Sequence, residues 1–270
     1  MNILEEIIAS KKAEVEERKS LFPVKLLEQS IYFPSDIVSL KKYLLRDDKS
    51  RIIAEIKRKS PSRGVINQHV SVERTSIGYM QAGASALSVL TDKSYFGGKN
   101  EDLITARKFN FCPILRKDFI IDEYQVVEAK SIGADAILLI AAALEVAQCR
   151  KLASLAQALG LEVLLEVHTR EEIAAYAQDN IDLVGVNNRD LKTFNTSIDI
   201  SKELSQYIPS DFIKVSESGI EQPEAILQLR DYGYQGFLIG GYFMAHSRPE
   251  KAAEQFIEAL TLNRKDYVNN

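Results

Sequence analysis

A chain of 270 residues with 46% apolar and 27% charged residues and a formal net charge of −4 has the balance of a soluble globular protein, which excludes a disordered or membrane-embedded chain. Acids and bases are interleaved, and the basic runs RKDF and KRKS are too short to track a nucleic-acid backbone, so any bound anion should be small. Cys112 and Cys149 form no CxxC pair and the histidines no cluster, which argues against a disulfide framework or a metal site and fits a reducing cytoplasm.

The N-terminal stretch MNILEEIIASKKAEVEERK carries acids among its apolar residues and is no export signal. Ile3, Leu4, Ile7, Ile8 and Val15 fall at helical spacing, which predicts an amphipathic helix from Asn2 to about Lys19. A second helical stretch is expected over about Ser35 to Leu45, and the two make an N-terminal extension, residues 1–48. From residue 49 to 270, apolar runs rich in β-branched residues alternate with stretches of helical period. These runs begin at Arg51, Ser85, Cys112, Asp135, Leu161, Ile181, Phe212 and Gly236. No stretch approaches the roughly 18 apolar residues of a membrane span.

The intervening helices are marked by SVERTSIGYMQAG, DEYQVVEAKSIGA and EVAQCRKLASLAQALG, the last closed by Gly160 as a left-handed cap. QAGASALSV, SIGADAILL and, more loosely, DYGYQGFLI repeat one helix–Gly–strand junction. SPSRGVINQHV reads as a long first βα loop. An open doubly wound sheet is the alternative, but no GxGxxG follows the first strand and the count of eight favours closure. The fold expected is α/β: a (β/α)8 TIM barrel with an N-terminal helical extension, in one domain over 1–270.

In such a barrel the strand ends and following loops form the active face. Glu55 and Lys57, two residues apart, share one side of the first strand. Arg116, Lys117 and Asp118 end the third, Glu166 the fifth, Asn187 and Asn188 the sixth, Glu217 and Ser218 the seventh. Any one of these alone reads as a solvated charge; together at one mouth they point to acid–base chemistry, because inward charges persist only when paired or functional. Ser218-Gly219 and Gly240-Gly241 lie at the barrel position that often holds phosphate, with YFMAHS as a short helix beside them and Lys59 and Ser60 in the first loop. Phe96, Tyr95 and Phe119 are candidates to pack on a flat aromatic group, and for Phe119 that role is weighed against, and preferred to, plain core packing. His69, His168 and His246 read as surface or capping residues, and Cys112 and Cys149 as small core residues.

AEIKRKSPSRG, LTDKSYFGG, ILRKDFIID, LLEVH, VGVNNRDL, VSESGI and FLIGG, in that order, resemble the signatures of the indole-3-glycerol-phosphate synthase family across nearly the whole chain. The resemblance implies a barrel preceded by a helical extension near the active face. It also implies cofactor-free conversion of 1-(2-carboxyphenylamino)-1-deoxyribulose 5-phosphate into indole-3-glycerol phosphate, carbon dioxide and water in tryptophan biosynthesis. Lys117 then matches the family's general acid on the ribulose carbonyl oxygen, and Glu166 a glutamate with a proton-transfer role in dehydration. Glu55 and Lys57 match an acid–base and carboxylate-binding pair, and Asn187, Glu217 and Arg189 substrate-positioning residues. Ser60, Ser218, Gly219, Gly240 and Gly241 match phosphate-side positions, where some relatives carry a hydroxyl or acidic side chain in place of Gly241. The expected partner is a small phosphorylated substrate, with no nucleic acid, membrane or obligate protein partner. Two alternatives stay open: a phosphoribosylanthranilate isomerase, which would need a Cys–Asp pair at strand ends, and a noncatalytic sugar-phosphate barrel, which would lack the acid–base residues.

Overall fold

A computed structural model describes residues 3–178, 180–190 and 195–268. All eight predicted apolar runs are strands: β1 (Ile52–Ile56), β2 (Ala86–Leu90), β3 (Ile114–Lys117), β4 (Ala136–Ile140), β5 (Glu162–Val167), β6 (Leu183–Asn187), β7 (Ile213–Glu217) and β8 (Gly236–Ile239). Each pairs in parallel with its sequence neighbours, and β1 closes the ring on β8 through the register Ile52↔Phe237 to Ala54↔Ile239. The open doubly wound sheet is thereby excluded. Around the barrel lie α4 (Val72–Gln81), α5 (Asn100–Phe109), α6 (Glu123–Ser131), α7 (Val146–Ala158), α8 (Arg170–Tyr176), α9 (Asp199–Leu204), α10 (Pro223–Asp231), α11 (Gly241–Met244) and α12 (Pro249–Val268). Among the described residues no helix is long and apolar enough to cross a membrane.

The repeated helix–Gly–strand junction has a backbone cause. Gly83, Gly133, Gly160 and Gly233 follow α4, α6, α7 and α10 with φ of 98°, 89°, 75° and 83°, a region a Cβ disfavours, and so turn the chain from helix into strand. Within each strand the period of two sorts side chains. Ile52, Ala54 and Ile56 face the helices, whereas Ile53 joins the barrel interior with Leu115, Leu138, Leu164, Leu183, Val215 and Leu238.

The extension precedes β1 as α1 (Ile3–Leu21), α2 (Val24–Leu27) and α3 (Leu40–Leu44). Asn2, expected to begin the first helix, lies outside the described residues, as do Met1, Asn269 and Asn270 at the ends of the predicted domain. The helix expected over Ser35–Leu45 is shorter: it starts at Leu40, where Ser39 caps it by accepting the Lys42 N–H. Upstream, Val38 N–H donates instead to Asp135, which holds the segment extended. The brief α2 was not foreseen. Leu40 and Leu44 are fully buried and pack among Ala86, Ala136, Leu183 and Ile213, the first residues of their strands, so α3 plugs the N-terminal end of the barrel. The other end is covered by α1, whose Ile3, Leu4 and Ile7 line the cavity at the strand C-termini.

Candidate active site

That cavity is walled by Glu55, Lys57, Leu90, Lys117, Leu138, Ile140, Glu166, Asn187, Glu217 and Leu238, and its rim includes Ser60, Arg63, Phe96, Phe119, Arg189, Ser218, Gly219, Gly240 and Gly241. Of the site residues expected from the sequence, Lys59, Tyr95, Arg116 and Asn188 stand off this surface and the rest lie on it; the Lys59 ammonium donates instead to the Ser94 carbonyl at 2.6 Å. Lys59 and Ser60 pair with Gly64–Val65 in a small antiparallel hairpin, which orders the start of the long first loop.

Lys117 is the hub. Its Nζ lies 2.9 Å from Glu166 Oε2 and 3.2 Å from Glu217 Oε2. Across the barrel, Lys57 Nζ donates to Glu55 Oε1 at 2.5 Å, and Asn187 Nδ2 donates to Glu166 Oε1 at 3.0 Å. Burial opposes the charge on Lys117, but the carboxylates of Glu166, Glu217 and Glu55 outweigh it and raise its pKa well above the ordinary lysine value. Burial also pushes the two carboxylates up. For Glu166 the charges of Lys117 and His168 and the Asn187 hydrogen bond prevail and hold it below the usual range. For Glu217 burial and the neighbouring Glu166 charge prevail over Lys117, so its carboxyl is raised. The two glutamates flanking one ammonium are thus driven apart in pKa, one lowered and the other raised.

Two glycines make room for these carboxylates. A Cβ at Gly185 would lie 2.2 Å from Glu217 Oε1, and one at Gly240 would lie 2.3 Å from Glu55 Oε1. Gly240 therefore clears space for an acid as well as opening α11, the short helix expected after Gly241. Ser218 and Gly219 both adopt positive φ, 70° and 72°, and the strain on Ser218 is of the kind that collects at functional loops.

Three expectations for the mouth are corrected by side-chain direction. Arg116 and Asp118 flank Lys117 on the opposite strand phase and do not face the barrel interior. Arg116 is buried outside the barrel against Glu128 (2.6 Å) and the Gln125 carbonyl (2.9 Å). Asp118, though its surface touches the cavity wall, gives its carboxylate to Lys11 (2.9 Å) and Thr91. Asn188 likewise turns outward, to Ser216, Ser201 and the Ser218 carbonyl. His168 is not a surface residue: its side chain is 12% exposed and its Nε2 stands 3.6 Å from Glu166 Oε1.

Lys11 is the site's unforeseen anchor. It follows Ile7 and precedes Val15 by four residues, so it occupies the buried stripe of α1, where its ammonium meets Asp92 and Asp118, each at 2.9 Å. Those carboxylates in turn accept backbone N–H groups, Asp92 from Tyr95 and Phe96 and Asp118 from Phe119. One lysine thereby ties the roof helix to the loops that carry Phe96 and Phe119, whose rings stack obliquely at 6.0 Å on the cavity rim. The sequence signal was the phase of Lys11 within the stripe. Arg63, which pairs with Glu221 at 2.9 Å across the rim, carried no such signal.

Cys112 and Cys149 are buried and remote from the cavity lining, so no Cys–Asp pair for the isomerase alternative exists there. Among the described residues no group of His, Cys, Asp and Glu is arranged to hold a metal. Residues 4–256 match the family model described as indole-3-glycerol phosphate synthase. The chain belongs to the indole-3-glycerol phosphate synthase family. Relatives of that name include proteins of Bacteroides thetaiotaomicron, 48% identical over 96% of this chain and 99% of its own length, and Campylobacter jejuni, 37% identical over 94% and 100%. The fold is also that of a mutant tryptophan synthase α-subunit from Pyrococcus furiosus (TM-score 0.59, 12% identity, 78% of this chain and 97% of that one). Indole-3-glycerol phosphate synthases are carboxy-lyases of tryptophan biosynthesis, and this chain is an enzyme of that class.

Proposed function

We propose that the cavity closes, decarboxylates and dehydrates 1-(2-carboxyphenylamino)-1-deoxyribulose 5-phosphate, with Lys117 as the acid that protonates the ribulose carbonyl oxygen. The observation that carries this reading is the Lys117 ammonium held between Glu166 and Glu217 on the inward face of β3. Carboxylates keep that lysine protonated until a stronger base, the developing alkoxide, meets it as the ring carbon attacks the carbonyl carbon. The carboxylate then leaves as carbon dioxide, its bonding electrons restoring the enamine. Loss of the hydroxyl as water and of a proton from carbon completes the indole. Glu166, ionised and hydrogen-bonded by Asn187, suits a proton-transfer role in that dehydration, while the Glu55–Lys57 pair suits a second transfer and recognition of the substrate carboxylate.

Phe119, with Phe96, offers an aromatic wall for the anthranilate ring. Elsewhere on the rim, the Ser60 and Ser218 hydroxyls and the amides of Gly219, Gly240 and Gly241 suit the phosphate, with Arg189 and Glu217 orienting the sugar. No cofactor enters the scheme. Two buried, unpaired thiols are consistent with a cytoplasmic setting.

The test is to incubate the purified protein with the carboxyphenylamino-deoxyribulose phosphate and follow indole fluorescence. Product is expected from the native chain, with a loss of about 10²- to 10⁴-fold in kcat for Lys117→Ala. Absence of indole would refute the reaction, and native turnover in Lys117→Ala would refute the general-acid assignment.

A further inference from the structure

His168 stands in the short turn between β5 and α8, two residues after Glu166 and so on the same strand phase. Thr169 caps α8 by accepting the Glu172 N–H at 3.1 Å, and Glu172 Oε2 reaches back to accept the His168 backbone N–H at 2.6 Å. The imidazole is thereby set between two carboxylates, Nε2 at 3.6 Å from Glu166 Oε1 and Nδ1 at 3.8 Å from Glu172 Oε2. Both ring nitrogens are shielded from solvent and make no hydrogen bond, a state that calls for an explanation.

We propose that His168 is a positioning residue that, as imidazolium, holds Glu166 ionised and in place from the side opposite Lys117, with Glu172 as its counter-charge. The inference rests on the reading of Glu166 and Lys117 given above. When Lys117 passes its proton to the substrate, Glu166 loses the positive charge 2.9 Å from its Oε2. The charge on His168, beside the other oxygen, remains, so the carboxylate stays ready to accept a proton during dehydration. The charged groups acting on His168 are Glu166 at the end of β5, Glu172 on α8 and Glu217 on β7, while Lys117 on β3 and the Asn187 amide on β6 meet Glu166 itself. Burial opposes the imidazolium, but Glu172, Glu166 and Glu217 outweigh it and raise the His168 pKa.

Two measurements test this. In His168→Gln the acid limb of the kcat–pH profile should move to higher pH by roughly half a unit or more, since a cation within 4 Å of Glu166 is gone. Its kcat at neutral pH should fall about tenfold while KM stays within about twofold. Glu172→Gln should shift the limb in the same direction. An unchanged profile, or a loss of kcat without movement of the limb, overturns the proposal. Independently of turnover, and of whether His168→Gln folds, proton NMR of the three histidines, assigned with His69→Gln and His246→Gln, should show His168 titrating above the ordinary value of about 6.5. That midpoint should drop in Glu166→Gln. A His168 that titrates at or below 6.5, or ignores Glu166→Gln, overturns the coupling even if indole is made. If the native chain makes no indole, the functional reading fails while this titration still judges the coupling.

Discussion

Gly185→Ala should disable the site without replacing any residue assigned to the chemistry. The added methyl would sit 2.2 Å from Glu217 Oε1 and 3.2 Å from both Glu217 Cδ and Leu164 Cδ1. Ordinary contact begins near 3.4 Å, so the Glu217 carboxylate must retreat by about 1.2 Å. Its other oxygen is held at 3.2 Å by Lys117, and the displacement passes directly to that ammonium. Misplacement by about 1 Å costs on the order of 10²-fold in rate, or about 2.7 kcal/mol of transition-state stabilisation. Indole fluorescence with the carboxyphenylamino-deoxyribulose phosphate should show this loss in kcat/KM, with the fold retained by circular dichroism. In a Glu217→Ala background the same substitution should cost little more, because the atom it strikes is gone. A folded Gly185→Ala enzyme within threefold of native kcat/KM, or one whose loss is equally large in the Glu217→Ala background, would refute the reasoning.

Lys11→Met removes the cation that Asp92 and Asp118 share, leaving Asp118 only the Arg116 guanidinium at 3.4 Å, a loss of about 3–5 kcal/mol that urea unfolding, or faster proteolysis of α1, should register. Leu44→Ala opens the plug at the opposite end of the barrel; it should cost about 2–5 kcal/mol by urea unfolding and leave kcat unchanged, since Leu44 is remote from the cavity. For Asp118 and Glu128, burial is outweighed by Lys11 and Arg116 and by Arg116 and Arg18 respectively, so both lie below their ordinary values. The stability they contribute is complete above the unfolded carboxylate range and is lost as pH falls through the lowered pKa. Unfolding free energy should therefore decline on acidification below about pH 4, and Glu128→Gln should flatten that decline.

Much of the molecule was legible in the chain because its signals are local. Eight β-branched runs, the glycine junctions at Gly83, Gly133, Gly160 and Gly233, and the period of two that turns Glu55 and Lys57 to one side all follow from backbone geometry over a few residues. The same period assigns Lys117 to the interior and Arg116 and Asp118 to the outside. Reading the three together as one mouth overlooked a distinction already present in the sequence.

What only the tertiary structure decided is which long-range partner each buried charge meets. The phase of Lys11 puts it in the buried stripe of α1, but its partners Asp92 and Asp118, more than 80 positions away, are set only by the fold. His168 reads as a loop histidine until the turn into α8 sets it against Glu166. Gly185 gives no hint that its missing side chain houses the carboxylate of Glu217 from the neighbouring strand. Local periodicity sets the direction in which a side chain points. Its electrostatic partner depends on how the barrel closes, because that closure brings distant carboxylates and ammonium groups within 3 to 4 Å in a site screened from water.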